Sequence, residues 1–114
     1  MQATRLTLIC HARTVAQKLG RFPTNEPVEI KWQSAEGSRA AFFKKAPCFL
    51  CGPELRTRQT AAFYANDVEV AEALRDCDFG RWSGAQIDDL QQSEPEALEA
   101  WLADPACAPH GGES

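Results

Sequence analysis

The sequence predicts a single α/β domain, residues 1–114, whose mostly parallel sheet is flanked by helices. Short apolar runs alternate with helix-forming stretches along the 114 residues, the order expected when strands are followed by helices. An apolar run at residues 48–51 leads through Gly52-Pro53 into a helix-forming stretch at residues 54–65. Because proline favours the first turn of a helix, this unit is predicted to be strand, turn and helix.

The first 45 residues are predicted to contain one strand and two short helices. Residues 6–10 read Leu-Thr-Leu-Ile-Cys, an apolar run typical of a buried strand. A helix at residues 14–19 should end at Gly20. Residues 22–27 contain two prolines and indicate a loop. A further helix is predicted at residues 38–45.

The second half predicts a third strand and a final helix. Residues 68–74 alternate apolar and polar side chains, as a strand at the sheet edge does. Residues 93–96 form a capping-box pattern, and the helix that follows should end before Asp104-Pro105. Ligands of α/β sheets collect at the carboxyl ends of parallel strands. His11 and the turn at residues 52–56 are therefore expected at one edge of the sheet.

Composition narrows the classes of partner. Lys and Arg total 12 against 16 Asp and Glu, for a formal net charge of -4, so the chain lacks the broad positive field of non-specific nucleic-acid binding. No run has the length of a membrane helix or the pattern of a signal peptide. Five cysteines, some in apolar runs, predict a reduced, cytoplasmic protein.

The cysteine pattern gives little support for a metal site. Cys48 and Cys51 have the spacing of a redox or zinc pair, but on a strand their side chains point to opposite faces. A soft-metal site formed by Cys10, Cys51 and His11 is a second hypothesis, with no ligand-spacing motif behind it. We therefore predict no metal site.

His11 is the first candidate for chemistry. An imidazole just past a buried strand, followed by Arg13 and Thr14, combines a nucleophile with donors that can hold an anion. A hydrogen-bonded structural histidine is the alternative interpretation of the same position. The motifs around His11 decide between them.

Two motifs follow the first two predicted strands. Residues 10–14 read Cys-His-Ala-Arg-Thr, with Gln17 and Arg21 after them, and residues 52–61 read Gly-Pro-Glu-Leu-Arg-Thr-Arg-Gln-Thr-Ala. In register, they resemble the Arg-His-Gly-Glu-Thr and Ser-Pro-Leu-x-Arg-Ala-x-Gln-Thr-Ala signatures of the histidine phosphatases, a phosphoglycerate mutase-like family.

Two later motifs resemble further signatures of the same family. In residues 76–84 an acidic residue precedes Phe-Gly and Trp-x-Gly, and residues 109–114 end in Gly-Glu-Ser. Four motifs in the family's order span almost the whole chain. The resemblance implies the N-terminal part of a histidine phosphatase domain with the phosphoglycerate mutase-like three-layer fold.

The resemblance also implies a mechanism and its residues. His11 would accept a phosphoryl group as phosphohistidine, with no metal or organic cofactor. Arg56 would hold phosphate oxygens and Asp76 would protonate the leaving oxygen. The predicted phosphate- and substrate-binding residues are Arg13, Thr14, Gln17, Arg21 and Glu113. The form of residues 79–84 favours a phosphatase, acting on a small phosphorylated substrate, over a glycolytic mutase.

The chain departs from the family pattern at three points. Cys10 replaces the family's first Arg, and Arg13 or Arg21 is predicted to substitute for it. The family's second His lies on a later strand, whereas His110 is predicted to lie in a loop. The family domain continues beyond the Gly-Glu-Ser motif, so we expect a truncated domain that lacks the strand of the second His.

Other functions stay open at this stage. An inactive relative would bind phosphorylated ligands without turnover, or form half of an assembly such as a homo-oligomer. An unrelated α/β ligand-binding domain would have no affinity for phosphate. Arg56 could instead be an exposed helix cation, and Asp76 could instead form a surface ion pair with Arg75 or Arg81.

Overall fold

The computed structural model describes residues 3–33 and 47–114. In these ranges the helices and strands are α1 (Val15–Leu19), α2 (Ile30–Gln33), β1 (Leu50–Cys51), α3 (Leu55–Ala61), β2 (Glu69–Val70), α4 (Ile87–Ser93) and α5 (Pro95–Ala103). Single turns of 3-10 helix lie at Glu72–Leu74 and Gly80–Trp82. The helix predicted at residues 38–45 lies outside the described residues. None of the described helices has the length and apolar content that a membrane span needs.

The sheet is a parallel pair, with Leu50 of β1 opposite Glu69 of β2. The Glu69 N–H donates to the Phe49 carbonyl at 3.0 Å, and the Ala71 N–H donates to the Cys51 carbonyl at 2.9 Å. After β1 the chain turns at Gly52-Pro53 into α3, which packs back on β1. The predicted unit of strand, turn and helix is confirmed, although α3 is shorter than residues 54–65.

Helix α1 is stabilised by residues close in sequence. The Thr14 hydroxyl accepts the Gln17 N–H at 3.4 Å, and the Gln17 side chain accepts the Thr14 N–H at 3.1 Å. This reciprocal pair is a capping box. Gly20 ends the helix with a φ of 66°, in the left-handed region that glycine adopts at little cost. The helix predicted at residues 14–19 is confirmed.

The buried strand predicted at residues 6–10 is wrong. This segment has no strand partner among the described residues, and Leu6 and Leu8 are 78% and 85% exposed. A run of apolar residues becomes a buried strand only when another strand takes up its backbone hydrogen bonds and another layer covers its side chains.

Two predictions for the second half need correction. The strand predicted at residues 68–74 is limited to β2, because the chain turns into the 3-10 turn Glu72–Leu74. The capping box predicted at residues 93–96 is wrong, because Ser93 ends α4 and its hydroxyl donates to the Asp89 carbonyl at 2.9 Å. Pro95 is nevertheless the first residue of α5, and the helix ends before Asp104 as predicted.

The core is an aromatic cluster formed mainly by residues of the second half of the chain. Its members are Phe22, Phe79, Trp82, Trp101 and His110. Trp82 is fully buried, with its ring centroid 5.9 Å from that of Trp101 and 5.1 Å from that of His110. Leu90 of α4 and Leu98 of α5 complete the packing.

Two loops meet backbone to backbone beside the aromatic cluster. The Glu113 N–H donates to the Asp78 carbonyl at 2.7 Å, and the Arg81 N–H donates to the His110 carbonyl at 3.0 Å. A Cβ on Gly112 would lie 1.9 Å from the Asp78 oxygen, and one on Gly80 would lie 2.2 Å from the His110 oxygen. Glycine at both positions therefore permits this close approach.

Candidate active site

Arg56 and Asp76, two of the predicted catalytic residues, meet at a cavity of about 200 Å³. The cavity is formed by the loop at residues 23–25, the start of α3 and the loop at residues 76–79. His11, the third predicted catalytic residue, does not line it. The cavity thus contains the predicted phosphate-binding and proton-donating groups but excludes the predicted nucleophile.

Arg56 lies in the first turn of α3 and is only 4% exposed. Its Nη1 donates to the Thr24 carbonyl at 3.1 Å, and its Nη2 donates to Asp76 Oδ2 at 2.7 Å. A buried guanidinium is stable only when such acceptors replace water. The alternative of an exposed helix cation is therefore wrong for Arg56.

Asp76 is held from both sides. Its Oδ2 bonds Arg56, its Oδ1 accepts the Cys77 N–H at 2.8 Å, and its own N–H donates to the Glu54 carboxylate. The side chain is 47% exposed. The alternative pairing of Asp76 with Arg75 or Arg81 is wrong. Those two arginines instead form ion pairs with Glu113 and Glu94.

His11 is half-buried, and its hydrogen bond defines its tautomer. Nδ1 lies 2.8 Å from the Ala12 carbonyl oxygen. A carbonyl oxygen only accepts, so the bond requires the proton on Nδ1. In the neutral ring Nε2 then has the free electron pair that a nucleophile needs.

A chain of two hydrogen bonds ties the His11 segment to α3. The Ala12 N–H donates to the Thr60 hydroxyl at 2.8 Å, and that hydroxyl donates to the Arg56 carbonyl at 2.8 Å. Thr60 is buried, one turn after Arg56 on the same helix. The histidine and the arginine are therefore fixed to one structural element.

The predicted phosphate- and substrate-binding residues lie outside the cavity. Arg13 is exposed next to His11. Thr14 and Gln17 cap α1, and Thr14 is fully buried. Arg21 forms two hydrogen bonds with the Glu26 carboxylate, at 3.0 and 2.9 Å. Their roles toward phosphate stay predictions.

Glu113, the last of these residues, holds the loop that contains Asp76. Its carboxylate accepts the Asp78 N–H at 2.8 Å and bonds the Arg75 guanidinium through both oxygens. The Asp78 N–H, and next the Arg75 side chain, hold the pKa of the Glu113 carboxyl below its ordinary value. A carboxylate that is already bonded in this way has little capacity to bind a phosphate directly.

Glu54 is the residue of the site that sequence reasoning missed. It directly precedes α3, lines the cavity and accepts the Asp76 N–H. The only signal in the sequence is that Glu54 occupies the position of the leucine in the Ser-Pro-Leu-x-Arg signature. A glutamate at the position of this leucine replaces an apolar side chain with a negatively charged one.

The described cysteines are unpaired, and burial raises the pKa of the Cys51 and Cys77 thiols. Cys48 is exposed and lies before β1, whereas Cys51 lies on β1 and is buried. Within residues 3–33 and 47–114, no group of three or more His, Cys, Asp and Glu is arranged to hold a metal ion.

Known sequences resemble this chain along almost its full length. The Histidine phosphatase superfamily (branch 1) matches residues 6–114. Glucosyl-3-phosphoglycerate phosphatase of Mycobacterium tuberculosis is 28% identical over 122 residues, covering 100% of this chain and 55% of that protein. A bifunctional protein of the same species is 30% identical over 121 residues, covering 97% of this chain and 33% of that protein.

Solved structures show the same fold. Mycobacterial glucosyl-3-phosphoglycerate phosphatase in complex with VO3 aligns with a TM-score of 0.75 at 23% identity, covering 91% of this chain and 56% of that chain. TTHB049 from Thermus thermophilus aligns with a TM-score of 0.70 at 27% identity, covering 91% and 60%. The predicted phosphoglycerate mutase-like fold, with a parallel sheet flanked by helices, is confirmed.

The chain spans about a third of the length of the bifunctional relative and about half of that of the phosphatase relative. The family match, residues 6–114, spans the positions of His11, Arg56 and Asp76. This chain belongs to the histidine phosphatase superfamily, branch 1.

Proposed function

We propose that this chain supplies the nucleophile and a phosphate-binding arginine of a phosphomonoesterase. The observation that carries the proposal is the link between His11 and Arg56 through Thr60. It joins a histidine whose Nδ1 is hydrogen-bonded to a carbonyl with a guanidinium that is buried beside a cavity. Fixed cations beside a nucleophile are the main requirement of phosphoryl transfer.

The proposed reaction has two steps. In the first, the Nε2 electron pair of His11 attacks phosphorus, the bond from phosphorus to the ester oxygen breaks, and the protonated form of Asp76 passes its proton to that oxygen. In the second, water attacks the phosphohistidine, the nitrogen–phosphorus bond breaks, and Asp76 takes the proton from the water. The Nδ1–H bond to Ala12 stabilises the positive charge that develops on the ring in the first step.

Substrate binding is proposed to exchange one contact of Arg56, although its guanidinium has further N–H groups. Nη2 already bonds Asp76, so a phosphate oxygen that takes this donor displaces the carboxylate. The released Asp76 stays beside the substrate, because its backbone N–H is held by Glu54. Competition between phosphate and Asp76 for one donor therefore places the proton donor next to the leaving oxygen.

The neighbouring predicted residues are proposed to act in support. Thr14 and Gln17 begin α1 directly after the nucleophile. Arg13 is the cation that we assign to the role of the family's first Arg, since Arg21 is held by Glu26. Glu113 positions the loop of Asp76 through Arg75 and Asp78.

The test is chemical labelling of the protein as its host makes it. Incubation with a radiolabelled phosphodonor should give a label that is stable to base and labile to acid, as a phosphohistidine is. His11→Ala should abolish the label, whereas Arg58→Ala, which removes an exposed cation of the same helix, should keep it. Full labelling of His11→Ala would exclude the mechanism.

A second candidate function is phosphate binding without turnover, and two observations favour it. Cys10 replaces the family's first Arg, and His110 is 1% exposed with its ring packed against Trp82. His110 therefore does not supply a second imidazole to the cavity. Vanadate binding without labelling and without release of phosphate from a monoester would identify this function.

A further inference from the structure

The cavity beside Arg56 is acidic. Three carboxylates line it, those of Glu54, Asp76 and Asp78. Among its lining residues, all of which the structure describes, Arg56 is the one Lys or Arg. With all three carboxylates ionised, one positive charge against three negative charges gives the cavity a formal charge of -2, and with Asp76 protonated, as the proposed first step requires, a formal charge of -1.

Arg56 compensates only one of these carboxylates, that of Asp76. Glu54 accepts the Asp76 N–H, and Asp78 accepts the Gly80 N–H at 2.8 Å. In the described ranges neither Glu54 nor Asp78 forms an ion pair. Hydrogen bonds from neutral N–H groups orient these side chains without removing their negative charge, and, after Glu113, Asp78 helps to raise the pKa of the nearby Arg75 guanidinium.

The position of the nucleophile assigns the cavity to one end of the substrate. In an in-line displacement the attacking atom and the leaving oxygen lie on opposite sides of phosphorus. His11 lies outside the cavity, whereas Arg56 and Asp76 line it. A phosphate held by Arg56 and attacked by His11 would therefore direct its leaving group into the cavity, toward the proposed proton donor.

We propose that this cavity selects phosphomonoesters whose leaving group is neutral or positively charged and disfavours leaving groups that have a carboxylate. This inference rests on the proposed function and names the substrate class of that site. A carboxylate in the cavity would lie near the charges of Glu54 and Asp78, whereas an ammonium group would pair with them. Glu54 is the specificity-determining residue, because it faces the cavity without a cationic partner among the described residues.

Three esters of nearly equal size isolate the charge of the leaving group. They are 2-aminoethyl phosphate, 2-hydroxyethyl phosphate and phosphoglycolate, whose far ends are positive, neutral and negative at pH 7. We expect kcat/KM for phosphate release to fall in that order, with a difference of about tenfold between the first and the last. The measurement uses the protein as its host makes it.

Glu54→Gln tests the residue that carries the inference. The glutamine keeps a side-chain oxygen for the Asp76 N–H but removes the charge. It should reduce the preference for the aminoethyl ester over phosphoglycolate about fivefold. Glu99→Gln removes an exposed carboxylate of α5 and should leave that preference unchanged.

The outcomes separate this inference from the proposed function. A preference for phosphoglycolate, or the same preference in Glu54→Gln as in the unmodified protein, would overturn the inference while turnover continues. Absence of both labelling and phosphate release would instead contradict the proposed function. Calorimetric binding of the three esters then tests the cavity without turnover, and equal affinities would overturn the inference in that case too.

Discussion

Two regions of the molecule differ in how far their apolar residues are buried: the aromatic side, which is the aromatic cluster with α4 and α5, and the sheet side, which is the sheet, α3 and the N-terminal segment. In the aromatic cluster Trp82 is fully buried, and the leucines below it, Leu90 and Leu98, are 4% and 5% exposed. On the sheet side Leu8 and Leu50 are 85% and 52% exposed. The aromatic cluster therefore buries its large apolar side chains, whereas Leu8 and Leu50 leave at least half of theirs exposed.

This difference has a consequence for the site. Asp76 belongs to a loop that Glu113 bonds to the aromatic side. The His11 segment is joined to α3 through Thr60, and α3 packs on the exposed sheet. The proposed proton donor and the proposed nucleophile are therefore held by contacts to different parts of the fold.

The largest expected effect is the difference in the loss of unfolding free energy between two leucine-to-alanine substitutions, one on each side. Leu98→Ala should lower the free energy of unfolding by about 2–5 kcal/mol, because it leaves a cavity under Trp82. Leu8→Ala, at an exposed position, should change it by less than about 0.5 kcal/mol. Urea denaturation measures both. Equal losses would show that residues 6–10 are as well packed as α5.

A substitution of Arg13 tests how the sheet side contributes to phosphate binding at the candidate site. Arg13→Ala should weaken vanadate binding about tenfold, the value of roughly one charge-assisted hydrogen bond. Lys18→Ala, which removes an exposed cation of α1, should leave the affinity unchanged. If both variants bind vanadate as the unmodified protein does, Arg13 has no contact with phosphate.

The smallest expected effect is the loss of stability in acid that arises from Glu113, which holds the loop of Asp76 on the aromatic side. The pKa of Glu113 is lowered from its ordinary value of 4.5, so its contacts stabilise the fold above that pH and are lost as the pH falls below it. Removal of the charge by Glu113→Gln should make the urea midpoint less sensitive to pH in that range. The change should be small, because the carboxylate is exposed to solvent.

Glu99→Gln is the control for this titration and should follow the curve of the unmodified protein. Glu94, whose pKa is also lowered, chiefly by Arg81, is retained in every variant. Its contribution therefore cancels in the comparison. Identical curves for Glu113→Gln and the unmodified protein would show that Glu113 does not stabilise the loop of Asp76.

The elements that the sequence predicts best are those stabilised by near neighbours. Helix α1 depends on Thr14, Gln17 and Gly20, all within one short segment, and its limits could be predicted. The turn from β1 into α3 is similar, since Pro53 stands directly before it. Local hydrogen bonds and backbone preferences depend on residues close in sequence, so a short stretch of sequence is enough to predict them.

The elements that depend on distant partners could not be predicted in this way. Residues 6–10 have the composition of a strand, but strand formation depends on a partner elsewhere in the fold. Ser93 has the pattern of an N-cap, yet it belongs to α4, whose start at Ile87 has no side-chain cap. Helix α4 was missed because its stability comes from Leu90 in the core rather than from its ends.

In the candidate site too, the sequence motifs could predict individual residues but not the contacts between residues far apart in sequence. The motifs predicted that Arg56 and Asp76 are catalytic, and the structure places them in one ion pair. Their family roles do not reveal the contact of Glu54 with the Asp76 N–H, because that contact joins residues that are far apart in sequence. The acidity of the cavity follows from tertiary structure and could not be read from one motif.

The close contact of the loops at Gly80 and Gly112 limits how this protein can evolve. Any side chain at either position would meet the backbone of the other loop at 2.2 Å or less. Every single-nucleotide missense change in these two codons adds at least a Cβ, so both positions are closed to gradual substitution. Under the proposed specificity, variation in substrate choice is therefore expected at Glu54, which lines the cavity and belongs to neither loop.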